Sequence, residues 1–301
     1  MSKAIENKAN GQNKARSAWS EIIRRFKKSK PALFGLMFIL FLVLVSLVTI
    51  VLDISNPEIY NNYVIKQNLR NKLDPPSWQH PFGCDEFGRD ILFRVIWGTR
   101  YSLFIGLISI MIALFLGGTF GAIAGYYGKH VDNIIMRIMD VFLAIPSMVM
   151  AVAVVAALGT STSNLLLAIA IPQAPRLARI VRASVMTVKD KEYIEATRAL
   201  GASNATIIVK YVLPNAMAPI IVQASLSVGT AILNIAGLSF LGIGVQPPTP
   251  EWGSILSSAR TYMRDAWHIS VIPGLVIMIT VLSLNLAGDG LRDAMDPKLK
   301  N

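Results

Sequence analysis

Apolar and polar positions segregate into long blocks along this chain. Leu33 to Leu52 contains neither a charge nor a proline, and a hydrocarbon core is crossed by ~20 such residues. Further apolar blocks run from about Tyr101 to Gly125, Ile134 to Leu158, Leu165 to Ile171, Ala216 to Leu241 and Ile269 to Leu286. Each is read as a membrane span, which predicts an all-α, polytopic fold with six transmembrane helices. Pro146 predicts a kink in the third span. The fourth block is the least regular, because Pro172-Gln173-Ala174-Pro175 follows it. Backbone interruption at membrane depth is tolerated only against protein or a water-filled cavity. A long basic segment precedes the first run and no small-x-small cleavage site follows, so that run reads as a signal anchor.

The polar segments divide the chain further. Met1 to Ala15 is polar, and Trp19, Ile22, Ile23 and Phe26 then recur on one helical face among basic residues. That pattern describes a basic amphipathic helix in the membrane interface, ended by Pro31. The expected organisation is a cytosolic N-terminus over residues 1–32, an anchor over 33–52 and an extracytoplasmic connection over 53–98, with Pro75-Pro76 as a rigid turn. A five-helix core over 99–289 and a cytosolic tail over 290–301 complete it. Gly117, Gly121 and Gly125 are spaced by four on the second span, where small residues let another backbone approach closely; accidental glycine richness is the alternative.

Composition agrees with the blocks: 53% hydrophobic and 16% charged residues, with a mean hydropathy of +0.51, lie outside the soluble range. The net charge of +11 raises the question of nucleic acid. With the N-terminus inside, the basic residues up to Lys30, Lys129 and Arg137, those from Arg176 to Lys210, and Arg292, Lys298 and Lys300 fall on the inner side. Lys66, Arg70, Lys72, Arg89, Arg94, Arg100, Arg260 and Arg264 remain outside. This is the positive-inside pattern, with both termini cytoplasmic, and nucleic acid is not needed to explain the charge. Cys84 is the sole cysteine, so neither an intrachain disulfide nor a cysteine metal cluster can form; it reads as a small, semi-buried residue. His80, His130 and His268 show no metal-ligand spacing, and no G-x-S-x-G elbow is found. No catalytic or metal residue is assigned.

Glu195-Ala196-Thr197-Arg198-Ala199-Leu200-Gly201, closed by Leu213-Pro214, lies in a basic loop over 187–215. Tyr193, Ala196 and Leu200 form an apolar stripe, and Glu195 can pair locally with Lys191 or Arg198. Gly201 suits a left-handed helix end, Ser203 can cap a second short helix, and Pro214 should terminate or bend it. The spacing resembles the EAA loop of ABC-importer permeases, with Thr197 in place of the second alanine and Tyr211 in place of the usual isoleucine. His80-Pro81-Phe82-Gly83-Cys84-Asp85-Glu86-Phe87-Gly88-Arg89-Asp90, Gly242 to Gly253, and Asn285 to Asp293 with Asp296-Pro297 resemble the C-type permeases of dipeptide, oligopeptide and nickel importers. There Thr is common at the Cys84 position and Ser at the Phe93 position.

That resemblance implies a type I, MetI-like core in a bacterial inner membrane. It assigns Tyr193, Glu195, Ala196, Thr197, Leu200, Gly201, Leu213 and Pro214 to coupling with an ATPase. It also implies a homologous B-type permease, two ABC ATPases and an extracytoplasmic binding protein as partners, besides membrane lipid. The chain itself would bind no cofactor: it has no G-x-x-x-x-G-K-[ST], and ATP and Mg would sit on the ATPases. Peptide is favoured over nickel or a metal chelate, since the histidines form no ion-binding group. Within or beside the spans, Gln173, Gln223, Asn234 and Asn285 suit either helix-to-helix hydrogen bonds or a translocation pathway. Asp140 suits an ion pair, local or between helices, or a gate. An intramembrane enzyme or a channel would need convergent ionisable residues inside the spans, and a secondary transporter would show inverted repeats; neither pattern is present.

Overall fold

The computed structural model describes residues 18–295, with side chains from residue 20 onward. The polar segment over 1–15, the Trp19 side chain, Asp296-Pro297, Lys298 and Lys300 lie outside the described residues. A short helix, α1 (Ala18–Phe26), leads into α2 (Lys30–Ser55), whose first turn is capped by Ser29 and accommodates Pro31. Proline fits there because the first helical amides need no intrahelical partner. Then follow α3 (Ile91–Tyr127), α4 (Lys129–Leu143), α5 (Ser147–Leu158), α6 (Thr162–Met186) and α7 (Glu192–Ala199). The chain closes with α8 (Asn204–Phe240), α9 (Trp252–Ser258) and α10 (Trp267–Met295).

Among the described residues, α2, α3, α8 and α10 are long and apolar enough to cross a membrane, and α4 with α5 makes a fifth if the pair counts as one span. The remaining apolar block lies in α6, whose C-terminal half carries Arg176, Arg179 and Arg182. The third block is not one kinked helix: α4 and α5 meet at 87°. Pro146 has no amide to offer the ladder, and its ψ of 130° turns the chain into an extended step before Ser147. The fourth block differs in the opposite sense, since α6 runs unbroken through Pro172 and Pro175. Two amides are lost there, while Ala174, Pro175, Leu177 and Ala178 are buried.

What they pack on is the glycine face of α3. A Cβ at Gly117 would fall on the carbonyl oxygen of Ala174, one at Gly121 on that of Ala178, and one at Gly125 would lie 2.8 Å from that of Arg182. Such approach maximises backbone dispersion contacts, which drive helix association in lipid. Likewise a Cβ at Gly35 of α2 would lie 3.0 Å from the Ala287 amide nitrogen of α10.

Pro214 does not end the second helix of the 187–215 loop. That helix opens a π-helical stretch, Ile207–Val212, which merges into Leu213–Phe240. The Leu213 amide reaches the Ile208 carbonyl, and this wider turn accommodates a proline at the next position.

The bundle has two distinct ends. At one lie α1, the start of α2, α7, the start of α8 and the end of α10: Ile22, Leu33 and Leu291 line one hollow, and Val188, Asn215 and Met295 another. The opposite end gathers residues 57–90, the start of α3, and α9 with its flanking loops.

Candidate functional site

The hairpin formed by α7 and the start of α8 is held by a fully buried cluster centred on Ile194. Ile194 packs with Val185, Val188, Ile207, Val212 and Ala216 in a single cluster. The Schellman arrangement ends α7: the Gly201 amide donates to the Arg198 carbonyl at 3.0 Å and the Ala202 amide to that of Thr197 at 3.3 Å. Gly201 adopts φ 84°, with nothing within 4 Å of where a Cβ would stand. Backbone conformation, and not crowding, therefore selects glycine. Ser203 Oγ accepts from the Thr206 amide and caps the next helix. Thr197 satisfies its hydroxyl by donating to the Tyr193 carbonyl at 2.7 Å, which explains how a polar residue replaces alanine there.

The Tyr193, Ala196 and Leu200 stripe faces outward; Leu200 is 89% exposed. Val209 and Tyr211 are also exposed at the start of α8. Leu213 is partly buried against the Ile194 cluster and Pro214 is exposed. The local ion pair expected of Glu195 is not formed: among the described residues none within 4.0 Å involves it. Arg198 turns instead to Tyr126 on α3, its guanidinium 5.8 Å from the ring centroid. The Tyr126 hydroxyl donates to Asn204 Oδ1 at 2.9 Å, so one tyrosine ties both arms of the hairpin to α3.

Two ion pairs bind α4 to α6 just ahead of the hairpin. Arg182 makes a bidentate pair with Asp132, both contacts at 2.5 Å, and Arg179 meets Asp140 at 2.5 Å. The planar fork of arginine fixes direction as well as distance. Asp140 thus finds its partner across helices rather than in Arg137 one turn away.

The four amides are not gathered into one seam within this chain. Gln173 is buried in α6 and Asn234 is half-buried on α8. Gln223 opens on a cavity of about 560 Å³ that it shares with Ser184, Thr187, Lys191 and Arg292. Asn285 is exposed and borders a separate hollow near Leu233 and Gly274.

At the opposite end, two of the stretches that carry the family resemblance interlock. Asp85 accepts from the Phe87 and Arg89 amides, both at 2.9 Å, and from Arg89 Nε at 2.7 Å. Arg94 donates to the carbonyls of Val64 and Pro248. Glu251 caps α9 through the Gly253 and Ser254 amides and accepts from Ser102 at 3.0 Å. Trp252 Nε1 donates to the Val95 carbonyl at 3.0 Å, and a Cβ at Gly98 would stand 3.0 Å from its ring. His80 bonds Asp90, the residue that caps α3, and His268 bonds the Cys84 carbonyl. Cys84 is fully buried rather than semi-buried, and burial, with Asp90, Asp74 and Asp85 nearby, pushes its thiol up to about 12. Burial and the neighbouring Asp85 also raise the Glu86 carboxyl.

Sequence reasoning missed Ile194, Tyr126, Asn204, the Asp132–Arg182 pair and the Ser102–Glu251 lock. Each depends on a partner far along the chain. Only an apolar residue off the exposed stripe, Ile194, left a signal that could have been found.

Comparison with known proteins adds the family context. The profile described as the binding-protein-dependent transport system inner membrane component matches residues 117–301, and that of the N-terminal TM domain of oligopeptide transport permease C matches 17–76. The chain is 45% identical over 290 residues to the dipeptide transport system permease protein DppC of Alkalihalophilus pseudofirmus, covering 96% of this chain and 93% of that protein. It is 46% identical to the di/tripeptide transport system permease protein DppC of Pseudomonas aeruginosa, over 95% of this chain and 94% of that one. The glutathione transport system permease protein GsiD of Pectobacterium atrosepticum is 42% identical over 95% and 93%. Among solved structures, an inward-facing MetNI methionine ABC transporter chain superposes with a TM-score of 0.56 at 20% identity, covering 68% of this chain and 98% of that one. A chain of an amino acid ABC transporter with histidines gives 0.53 at 15% identity, over 67% and 94%.

Proposed function

The chain belongs to the binding-protein-dependent transport system inner membrane components, as a permease subunit of an ABC importer, and from that membership we propose that the α7 hairpin couples it to a partner ATPase. What supports this reading is a rigidly anchored hairpin whose tip is apolar and unpartnered. Ile194, Tyr126 and the Gly201 turn hold the hairpin, while Tyr193, Ala196 and Leu200 remain exposed. Glu195, Thr197, Leu213 and Pro214 complete the coupling element, over residues 187–215. A rigid lever transmits displacement, and a docked apolar face supplies the adhesion.

In the proposed cycle two ATPases hold ATP and Mg, and this chain holds neither. Closure of the ATPase pair displaces the hairpin. α6 and α4 follow it because the Asp132–Arg182 and Asp140–Arg179 pairs join them. A homologous B-type permease supplies the other half of the pathway, with Gln223, Asn234 and Asn285 as the proposed cargo contacts; Gln173, buried in α6, joins them only if the helices part. An extracytoplasmic binding protein docks on the end formed by residues 53–98 and α9. Residues 1–32 and 290–301 lie in the cytoplasm, on the hairpin's side of a bacterial inner membrane. Short peptides are the proposed cargo, on the strength of relatives named for dipeptide, di/tripeptide and glutathione transport.

The test is crosslinking from a cysteine at Ala199 to the ATPase in the purified importer, with and without Gly201→Val. Valine at φ 84° costs on the order of 1–2 kcal/mol locally and misdirects the second arm. The expected result is a crosslink in the parent, and loss of both crosslink and substrate-dependent transport in the variant, with ATP binding retained. Transport without any crosslink in the parent would refute the coupling role. Ligand identification from the purified binding protein decides between peptide and a metal chelate.

A further inference from the structure

The groove between α1, α2 and α10 joins a hydrocarbon lining to a basic rim. It encloses about 410 Å³ and its walls are hydrocarbon, from Ile22, Phe26, Leu36, Leu284 and Leu291. Two polar side chains touch it. Ser225 at the floor already donates its hydroxyl to the Val222 carbonyl at 2.7 Å, so it asks nothing of an occupant. Lys27 stands at the rim. Arg24, Lys28 and Lys30 are exposed around the same turn, and none of the four has an ion pair within 4.0 Å among the described residues.

An occupant must therefore be apolar along its length and anionic at one end. Position adds to this. The start of α2 and the end of α10 form the groove at the end of the bundle that carries the α7 hairpin. In a membrane those helix ends lie at headgroup depth, with the groove descending one to two turns into the acyl region. An extended peptide would leave backbone amides unsatisfied against such walls, and a free phosphate would find no apolar complement.

We propose that this groove is a binding site for one anionic phospholipid, its acyl chain lying between α1, α2 and α10 and its phosphate held by Arg24, Lys27, Lys28 and Lys30. Basic residues at a membrane surface each favour an anionic lipid by roughly fivefold. α1 then acts as a clasp, closed over the acyl chain when the headgroup is engaged. The inference goes beyond the transport reading and does not depend on it.

The experiment uses the full-length chain, purified in the assembly with which it leaves the membrane, delipidated, and titrated with phosphatidylglycerol or phosphatidylcholine under native mass spectrometry. The parent should retain one phosphatidylglycerol in strong preference to phosphatidylcholine. Arg24→Gln with Lys27→Gln should reduce that preference by roughly 25-fold, two residues at about fivefold each. Ser225→Phe, which fills the floor and leaves the charges alone, should abolish retention of either lipid. Equal retention of both lipids by the parent would mean an ordinary lipid-facing surface and overturn the proposal, as would undiminished preference in both variants. If the parent retains no lipid while a chain beginning at Ser17 retains one, the groove belongs to the chain's own N-terminal segment, and the proposal also fails.

Discussion

Single residues on the hairpin divide into those that hold it and those that remain free, and the two kinds should fail differently. Ile194 is fully buried, and truncating such a side chain typically costs 2–5 kcal/mol. Ile194→Ala should loosen α7, exposing it to limited proteolysis and lowering transport together. Tyr193→Ala removes a half-exposed ring and should leave the proteolytic pattern unchanged while weakening the ATPase crosslink. Equal protease resistance in both variants would show that Ile194 is not the anchor. A comparable contrast applies to Cys84 at the other end. With the thiol near 12, only about one part in ten thousand is thiolate at pH 8, and no solvent reaches it. Maleimide should leave Cys84 unmodified in the folded chain and label it after unfolding in denaturant; fast native labelling would contradict its burial.

Helices show where sequence reading succeeds and where it stops. The apolar blocks located every long helix, because hydropathy reports the solvent that each segment meets. Gly201 and Ser203 were legible too, since a left-handed turn and an N-cap are local events. Pro146, Pro172, Pro175 and Pro214 were not. A proline deletes the same amide everywhere, yet its consequence depends on what surrounds it: an 87° break at Pro146, none in α6, and a π-helical stretch before Pro214. The glycine ladder of α3 packs on the stretch of α6 that stays helical through its two prolines. Gly121→Leu should therefore separate α3 from α6 and reduce the yield of assembled complex. Gly118→Leu is the control, since the nearest atom to a Cβ there is Leu114 Cδ1 at 4.0 Å. Size-exclusion yield of the two variants is the measurement, and parity between them would remove close packing as the reason for Gly121.

Over the whole molecule, polarity is arranged by end rather than by face. The hairpin, α1 and the end of α10 share one end; the Asp85–Arg89–Arg94 group and the Ser102–Glu251 lock form the other. These two ends have opposite chemistry. One keeps an apolar tip and basic side chains in the open. The other buries its charges: Asp85, Arg89, Arg94 and Glu251 are all below 5% exposure. A buried ionic group costs desolvation that pairing offsets; Asp85 and Arg89 are paired here, while Arg94 Nε and Glu86 Oε2 are buried without a hydrogen bond. The arrangement also fixes how topology should be measured. Native Cys84 cannot serve as the outer reporter, because it is inaccessible from either side. In a Cys84→Ser background, Trp78→Cys occupies a fully exposed outer position and Leu200→Cys the exposed hairpin tip. In intact cells an impermeant maleimide should label the first and spare the second, and in inverted membrane vesicles the pattern should reverse. Because the hairpin and both ends of the described chain lie together, the same labelling fixes the side of the N- and C-terminal helices. Labelling of Leu200→Cys in intact cells would place the hairpin outside, beyond reach of any cytosolic ATPase.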